Sequence, residues 1–344
     1  MKKYITYAAA FLLTGSIVKA QDFHVSQYDV ATMYLNPALT GMYGDQKGDW
    51  KAYLDTRSQW RAFGVKPFFT TYLAYDMPYT IKDKKVGFGA YFINNRTGPG
   101  NFNTTGFMLS GAYNILDKKA NGVHYLTTGL QLGLFYKAFN NNITYDAQYD
   151  PYKDGGSFNQ DISSGENDLN KMSLTRFDAN LGIFYKYLEK DKKAHPFIGF
   201  AMSHLTRSNT SFVGTVDRIP FKFVVNGGCD IKAHEKFNVT PRFYYANQAK
   251  AYEVNIGVLM DYDISDDFSV STQNWKILGG FDWRYKDAVV INLGVKNDDY
   301  QIRFSYDINT SYLKHYTRNR GAWEITLVYV GEKGKSFTKV FTKF

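Results

Sequence analysis

The chain has 344 residues, one cysteine and a formal net charge of +9 at pH 7. A single cysteine excludes a disulfide framework. The basic residues are spread over turns and the tail rather than forming a stripe, which argues against nucleic-acid binding. Tyrosine and phenylalanine, at 28 and 27 residues, are far above ordinary usage. The aromatic girdles of an outer-membrane barrel would produce that excess.

The first twenty residues predict export. Lys2 and Lys3 precede an uncharged run that ends at Val18, and Ala20 stands before a cleavage point at Gln21. This is the pattern of a secretory signal peptide. Cleavage leaves 38 basic and 32 acidic residues, a net charge of +6. No later stretch approaches the roughly 18 apolar residues that a membrane-spanning helix requires. Two classes remain, an exported soluble protein and a membrane barrel.

The next segment, 21–48, has no sustained alternation. Pro37 and Gly41 interrupt regular structure there, and the segment is too apolar for a free tail. We therefore expect it to pack inside a barrel as a plug-like segment, with Asn36, Pro37, Ala38 and Gly41 as plug residues.

From residue 49 to 330 apolar and polar side chains alternate in about fourteen runs. In one of the clearest, Tyr300 and Phe304 fall on one face, and Arg303 and Asp307 on the other. A period of two is typical of β-strands. Alternation alone fits both a soluble sandwich and a barrel whose apolar face meets lipid. The predicted strands are 49–58, 68–77, 85–94, 105–116, 124–139, 174–188, 195–203, 219–232, 236–247, 251–263, 276–286, 288–296, 300–308 and 322–330.

Loop lengths favour the barrel, because outer-membrane barrels alternate short inner turns with longer outer loops. The connection 264–275 is long for an inner turn, and an additional strand near 268–272 would change the strand count. The predicted fold is all-β, a single antiparallel transmembrane outer-membrane β-barrel. The long outer loops are predicted at 59–67, 95–103, 140–173 and 204–218.

Five short segments stand in order along the chain. They are Ser26-Gln27-Tyr28 leading to Tyr34-Leu35-Asn36-Pro37-Ala38-Leu39-Thr40-Gly41, Arg57-Ser58-Gln59-Trp60, Asn95-Arg96-Thr97-Gly98-Pro99-Gly100 followed by Thr104-Thr105, Ser203-His204-Leu205-Thr206-Arg207 and Phe304-Ser305-Tyr306-Asp307. Together they resemble the PorP/SprF family, outer-membrane proteins of the type IX secretion system and its linked gliding machinery. The connection 264–275 is longer than the usual turn of that family.

The resemblance implies a non-enzymatic barrel that docks, delivers or anchors secreted cargo with a C-terminal sorting domain, such as a gliding adhesin. Its partners would be that cargo and other secretion and gliding components. Its location would be the outer membrane of a Gram-negative bacterium, in contact with the lipid bilayer and lipopolysaccharide. The Asn36-Pro37-Ala38 triplet is also similar to the N-terminal hatch of fatty-acid-transporter barrels. A plugged channel for an apolar or small solute is therefore a second hypothesis.

Two groups of residues are candidates for function. The first combines Trp with Arg at the outer ends of two strands, as protein interfaces do; simple interfacial anchoring by Trp60 is the alternative. This rim comprises Arg57, Gln59, Trp60, Arg61, His204, Thr206, Arg207 and Asn209. The second group is a set of inward charges that either pair to grip a plug or form a substrate path. These lumen charges include Asp76, Arg242, Asp282, Arg284, Arg303 and Asp307.

We expect no catalytic residues, cofactor or metal. Ser203 and His204 are neighbours on a predicted strand and should point to opposite faces, which prevents a nucleophile–base bond. The acidic loop 140–173 lacks the ligand spacing of a calcium loop. The basic tail 331–344 ends in Phe344. It is either an assembly signal or a periplasmic contact.

Overall fold

The computed structural model describes most of the chain. The predicted signal peptide 1–20, Arg61 and residues 333–344 of the predicted tail lie outside the described residues. So do residues 266–273, where an additional strand was considered. The described ranges are 22–42, 48–60, 66–82, 84–98, 102–116, 123–139, 146–159, 161–163, 172–212, 215–265, 274–312 and 314–332.

Fourteen antiparallel strands form a closed barrel, which confirms the predicted fold class and strand number. A two-stranded hairpin of β6 and β7 lies in the connection between β5 and β8. The strands are β1 Trp50–Gln59, β2 Phe68–Ile81, β3 Lys84–Thr97, β4 Phe102–Asn114, β5 His124–Ala138, β6 Tyr149–Asp150, β7 Ser157–Phe158, β8 Ser173–Tyr187, β9 Ala194–Ser203, β10 Lys222–Lys232, β11 Phe237–Gln248, β12 Ala251–Asp263, β13 Lys276–Arg284, β14 Ala288–Lys296, β15 Tyr300–Asn309 and β16 Arg320–Gly331.

Each barrel strand pairs with the strands next to it along the chain, and β5 pairs with β8 across the hairpin. The ring closes where β1 pairs with β16, with Trp50 opposite Gly331 and Arg57 opposite Glu324. We call this pairing the seam. Closure leaves no unpaired strand edge, as a membrane interior requires.

The outer surface of the ring is apolar and the inner surface polar. Leu109, Phe281 and Leu293 are 58%, 56% and 59% exposed, whereas Arg303 and Asp307 are buried inside at 1% and 2%. In water a polar outer surface and an apolar inner surface would be favoured. An apolar outer surface is stable in contact with lipid, and the polar inner surface is stable because its side chains have polar partners in the lumen. The predicted alternation is therefore confirmed, and the sandwich is excluded.

The barrel has two unlike ends. We call the end that carries the connections after β1, β3, β5, β9 and β15 the loop end. The opposite end, where residues 82–83 join β2 to β3, is the turn end. None of the described helices is long and apolar enough to cross a membrane. The helical pieces are single turns at Thr32–Leu35 and Lys314–Thr317 and 3-10 turns at Pro37–Leu39 and Asp146–Gln148.

Residues 22–42, called here the lumenal segment, lie inside the ring. Asp22 contacts Gln248 at the loop end, and Gly41 contacts Asp76 in the half of β2 nearer the turn end. Met33 and other apolar residues of the segment pack on inward-facing tyrosines of the strands. The hydrophobic core therefore lies between the segment and the inner wall.

Candidate functional site

The first half of the lumenal segment is bonded to strands that meet at the seam. The two carboxylate oxygens of Glu324 accept the backbone N–H groups of Ser26 and Gln27, each at 2.7 Å. Arg57 donates to the Ser26 hydroxyl at 2.6 Å and lies 3.1 Å from Glu324. The Ser26 hydroxyl donates to Asp307 at 2.8 Å. Carboxylates that bind backbone N–H groups form strong, charge-assisted bonds. Glu324 of β16 therefore holds this backbone directly, while Arg57 of β1 and Asp307 of β15 hold the Ser26 side chain.

Two further arginines extend these contacts along the segment. Arg303 donates to the Gln27 side chain at 2.7 Å and to Asp29 at 2.8 Å. Arg242 lies 2.8 Å from Asp29 and binds Asp282 through two bonds of 2.9 and 2.7 Å. Burial acts to raise the pKa of Asp29, but the two guanidinium groups outweigh it and lower that pKa to about 2.

We call these groups the anchor network. Arg284 joins it, because its guanidinium lies 2.6 Å from Asp307. Five of the six predicted lumen charges therefore lie together in this network. Asp76, the sixth, lies apart from them and contacts the lumenal segment at Gly41. The network comprises Ser26, Gln27, Asp29, Arg57, Arg242, Asp282, Arg284, Arg303, Asp307 and Glu324.

The second half of the segment is fixed by its own amide and by backbone groups. The Asn36 side chain accepts from the backbone N–H of Ala38 at 2.9 Å, which caps the 3-10 turn. Its amide nitrogen donates to the carbonyls of Ile183 at 3.0 Å and Phe200 at 3.3 Å. A single buried amide thus shapes the turn and ties it to β8 and β9.

Inward-facing glycines let this turn lie directly on the wall. A Cβ at Gly129 would stand 2.3 Å from the carbonyl carbon of Pro37, and one at Gly182 would stand 2.0 Å from the Asn36 side-chain oxygen. Gly41 has a φ of +60°, a conformation that favours glycine, and its backbone N–H donates to Asp76 at 2.6 Å. The predicted plug residues therefore lie along the inner wall between β2 and β9.

At the loop end His204 joins the lumenal segment to the wall. Its Nε2 lies 2.7 Å from Asp22 and its Nδ1 lies 2.6 Å from Asp178. Burial acts to lower the pKa of His204, but the two carboxylates outweigh it and raise that pKa to about 9. Burial likewise acts to raise the pKa of Asp22, and His204 outweighs it and lowers that pKa well below its usual value. At neutral pH His204 is therefore a buried cation between two carboxylates.

The expectation that Ser203 and His204 point to opposite faces of a strand is wrong, since both residues line one cavity. β9 ends at Ser203, and His204 has a φ of +64°. This turn of the backbone breaks the alternation of a strand. Both ring nitrogens of His204 are engaged by Asp22 and Asp178.

The cavity lies at the loop end and has a volume of about 550 Å³. Phe23, His24 and Tyr34 of the lumenal segment contribute to its lining, and the barrel strands supply the rest. Among the residues that the structure describes, no group of three or more His, Cys, Asp or Glu side chains is placed to hold a metal ion.

The predicted rim residues divide into two sets. Arg57, Gln59, Trp60 and His204 line the cavity, whereas Thr206, Arg207 and Asn209 are exposed outside it. Arg57, only 1% exposed, belongs to the anchor network rather than to an exposed rim, because the alternation of β1 directs it into the lumen.

Two site residues were not predicted from the sequence: Glu324 of the anchor network and Arg176, a β8 residue that lines the cavity. Glu324 is on the predicted polar face of the last strand, so alternation was an available signal. Its bonds to Ser26 and Gln27 span nearly three hundred residues of sequence, and no local pattern predicts them.

A closed ring of fourteen strands, apolar outside and polar inside, defines this protein as an outer-membrane β-barrel. A family model described as type IX secretion system membrane protein PorP/SprF matches residues 17–329. The chain therefore belongs to the PorP/SprF family of the type IX secretion system, as the five sequence segments predicted.

Several solved barrels resemble it in architecture. The Pseudomonas putida toluene transporter TodX is 9% identical with a TM-score of 0.44, over 89% of this chain and 93% of TodX. The CymD monoaromatic hydrocarbon channel is 10% identical with a TM-score of 0.45, over 89% of this chain and 94% of CymD. CdiB from Escherichia coli is 8% identical with a TM-score of 0.46, over 82% of this chain and 63% of CdiB. These likenesses say nothing about function. A comparison with curated proteins found no match.

Proposed function

We propose that this barrel docks secreted cargo bearing a C-terminal sorting domain and holds it at the cell surface, together with other components of the secretion and gliding machinery. Membership of the PorP/SprF family supports the association with secretion. The observation that supports docking most is the lumenal segment. Residues 22–42 lie across the interior and are bonded to both sides of it, which leaves the loop end as the surface for a partner.

The docking surface in this proposal is the exposed part of the rim together with the mouth of the cavity. The guanidinium of Arg207 lies 5.2 Å from the ring of Phe221, and the ring of Trp60 lies 4.6 Å from that of Phe68. Aromatic and Arg side chains dominate binding energy at protein interfaces. Side chains held in place by neighbours lose less conformational entropy on binding. Thr206, Asn209 and Gln59 would supply polar contacts around them.

The remaining predicted regions have supporting roles in this proposal. Residues 1–20 are removed on export, 21–48 serve as a plug gripped by the lumen charges, 49–330 form the barrel, and 331–344 contact periplasmic machinery or direct assembly. The apolar outer surface contacts lipid and lipopolysaccharide.

The test compares a deletion strain that carries the wild-type gene with one that carries a rim double variant, Trp60→Ala with Arg207→Ala. Proteins at the cell surface and in the medium are quantified by mass spectrometry, as are proteins that co-purify with the barrel from detergent. We expect specific secreted proteins to be lost from the surface and from the purified barrel. The matched control, Lys190→Ala with Lys232→Ala, changes exposed cations at the turn end and should behave as wild type.

Equal amounts of folded barrel, judged by heat-modifiable migration on gels, are required in all strains that carry a copy of the gene. Unchanged surface and secreted proteins in the deletion strain without a gene copy would contradict cargo docking.

A second proposal is a plugged channel for an apolar or small solute. The observation that favours it is the cavity, whose lining includes Trp60, Phe68, Phe102 and Phe135. If the barrel is such a channel, deletion of its gene would slow uptake of the solute and leave secreted proteins at their normal levels.

A further inference from the structure

We propose that the loop-end cavity binds a carboxylate carried on an apolar or aromatic group, with Arg176 as its main anchor and Lys137 as a second cation. This inference goes beyond cargo docking and beyond the channel, because it concerns what the cavity recognises. Failure of either proposed function would leave this inference unaffected, and its failure would leave both of them unaffected.

Arg176, on β8, is a buried cation that forms no ion pair with any carboxylate among the described residues. It is 5% exposed and lines the cavity, and its Nε and Nη1 atoms are buried without a hydrogen-bond acceptor. Its guanidinium carbon lies 4.9 Å from the centre of the Phe135 ring. A ring face attracts a cation, yet it accepts none of the guanidinium hydrogen bonds. Burying a charged group without an ionic partner is costly, so this cation is prepared for an external anion.

The carboxylates of the cavity are already engaged. Among the described residues, the carboxylates that line the cavity are Asp22, Asp178, Glu253 and Asp287. His204 lies within 2.7 Å of Asp22 and Asp178. Arg284 lies within 3.8 Å of Glu253 and Asp287.

Lys137 is a second cation of the cavity lining that forms no ion pair among the described residues. Phe135 is opposite Arg176 in the pairing of β5 with β8. Lys137 lies two residues further along β5, on the same face, and lines the cavity too. Among the described carboxylates none forms an ion pair with either cation. The positive charge is therefore concentrated on one wall.

The rest of the lining selects the ligand. Phe102, Phe135, Trp60 and Tyr91 give the same cavity aromatic surface. Its volume of about 550 Å³ is in the range of small-molecule sites. A guanidinium group matches the planar geometry of a carboxylate. A single negative charge suits the site better than a phosphate dianion, because Asp22 and Asp178 in the same cavity would repel the dianion more strongly.

The experiment measures binding to the full purified barrel in a non-ionic detergent by isothermal titration calorimetry. The probes are 3-phenylpropionate and its neutral isostere 3-phenylpropionamide. We expect the acid to bind about tenfold or more tightly than the amide, with a preference that weakens as salt is added. Arg176→Gln should remove the preference, Lys137→Gln should reduce it, and Arg176→Lys should restore part of it.

The control variant is Lys153→Gln, which removes an exposed cation at the same end of the barrel but outside the cavity lining. It should keep the full preference. Each variant is first checked for heat-modifiable migration. Should Arg176→Gln fail to fold, Lys137→Gln, at a half-buried position, decides the test by whether it reduces the preference for the acid.

Two sources of a carboxylate are separated by a second pair of probes, a tripeptide ending in phenylalanine with a free C-terminus and the same peptide amidated. An Arg176-dependent preference for the free peptide identifies a chain end as the ligand. The same preference for 3-phenylpropionate alone identifies a small free acid. Equal binding of acid and amide to the wild-type barrel overturns the proposal, as does a preference that survives Arg176→Gln and Lys137→Gln.

Discussion

The two halves of the lumenal segment are held by different forces. Residues 22–30 are held by charge, through carboxylates and guanidinium groups that bond to Ser26, Gln27 and Asp29. Residues 31–42 are held mainly by shape, through a turn that lies on glycines such as Gly129 and Gly182, with hydrogen bonds from Asn36 and to Asp76 beside it. The first half depends on the ionisation of its partners. The second depends on the absence of side chains from the wall.

The largest effect is expected from Asp307→Asn, which leaves Arg57 and Arg284 without the carboxylate that lies 2.8 and 2.6 Å from them. Removing one partner of a buried ion pair costs about 3–5 kcal/mol. We expect the free energy of unfolding, measured by denaturant titration of the barrel, to fall by that amount. Asp191→Asn, in an exposed turn, is the control and should change little. Equal stability of the two variants would show that charge does not hold the first half.

The second effect is a pH dependence at His204. Its ordinary pKa of 6.5 is raised to about 9, so its contribution to stability is complete below about pH 6.5 and disappears as pH rises through 9. At about 1.36 kcal/mol per pKa unit, the contribution is at most about 3 kcal/mol. A spin label at Phe23 should become mobile over this pH range, while one at Leu39 should stay immobile.

His204→Gln removes the titrating group and should abolish the pH dependence at Phe23. The lowered pKa of Asp22 acts at the other end of the scale. Its contribution is complete above about pH 3.8 and is lost as the pH falls. A label at Leu39 that responded to alkaline pH as strongly as one at Phe23 would remove the distinction between the halves.

A third, smaller effect is expected from Gly129→Val, which introduces a side chain where Pro37 touches the wall. Overpacking of this kind costs about 1–3 kcal/mol. We expect the turn at Pro37–Leu39 to leave the wall and become cleavable by a protease added to the purified barrel. The matched control is Gly279→Val, since a Cβ at Gly279 meets nothing within 4 Å. Resistance of the Gly129→Val turn to cleavage would argue against a fit by shape.

The smallest effect is expected from Thr40→Val, which removes a hydroxyl that donates to the Pro37 carbonyl at 2.8 Å and lies 2.5 Å from the Ser110 hydroxyl. A buried neutral hydrogen bond contributes about 1 kcal/mol. The free energy of unfolding should fall by about that amount with no change in pH dependence. A loss as large as that of Asp307→Asn would mean that polar bonds dominate both halves.

The sequence was sufficient to predict the wall of the barrel. Alternation gave all fourteen strands, including β12 and β14 at their observed bounds. It also separated Phe304 and Leu327 outside from Arg303 inside. Each of these features is local, because a strand in a membrane barrel repeats the same two environments along its length.

The contents of the barrel were less accessible to prediction. The segment 21–48 could be assigned to the interior only because it was apolar without periodicity. Its bonds to Glu324 join distant parts of the chain. His204 was predicted as a rim residue, but its inward orientation was not, because its positive φ follows directly on a regular strand. Arg176 was not predicted because its lack of an ion pair depends on which carboxylates are engaged elsewhere.

The anchor network also bears on biogenesis. Arg57 and Glu324 face each other across the seam, and both bind Ser26. Residues 26 and 27 therefore bridge the first and last strands of the ring. A ring that closed without the lumenal segment would leave Arg57 and Glu324 with fewer hydrogen-bond partners, and burying charged groups without partners is costly. Closure of the ring is consequently more favourable when the segment already lies inside.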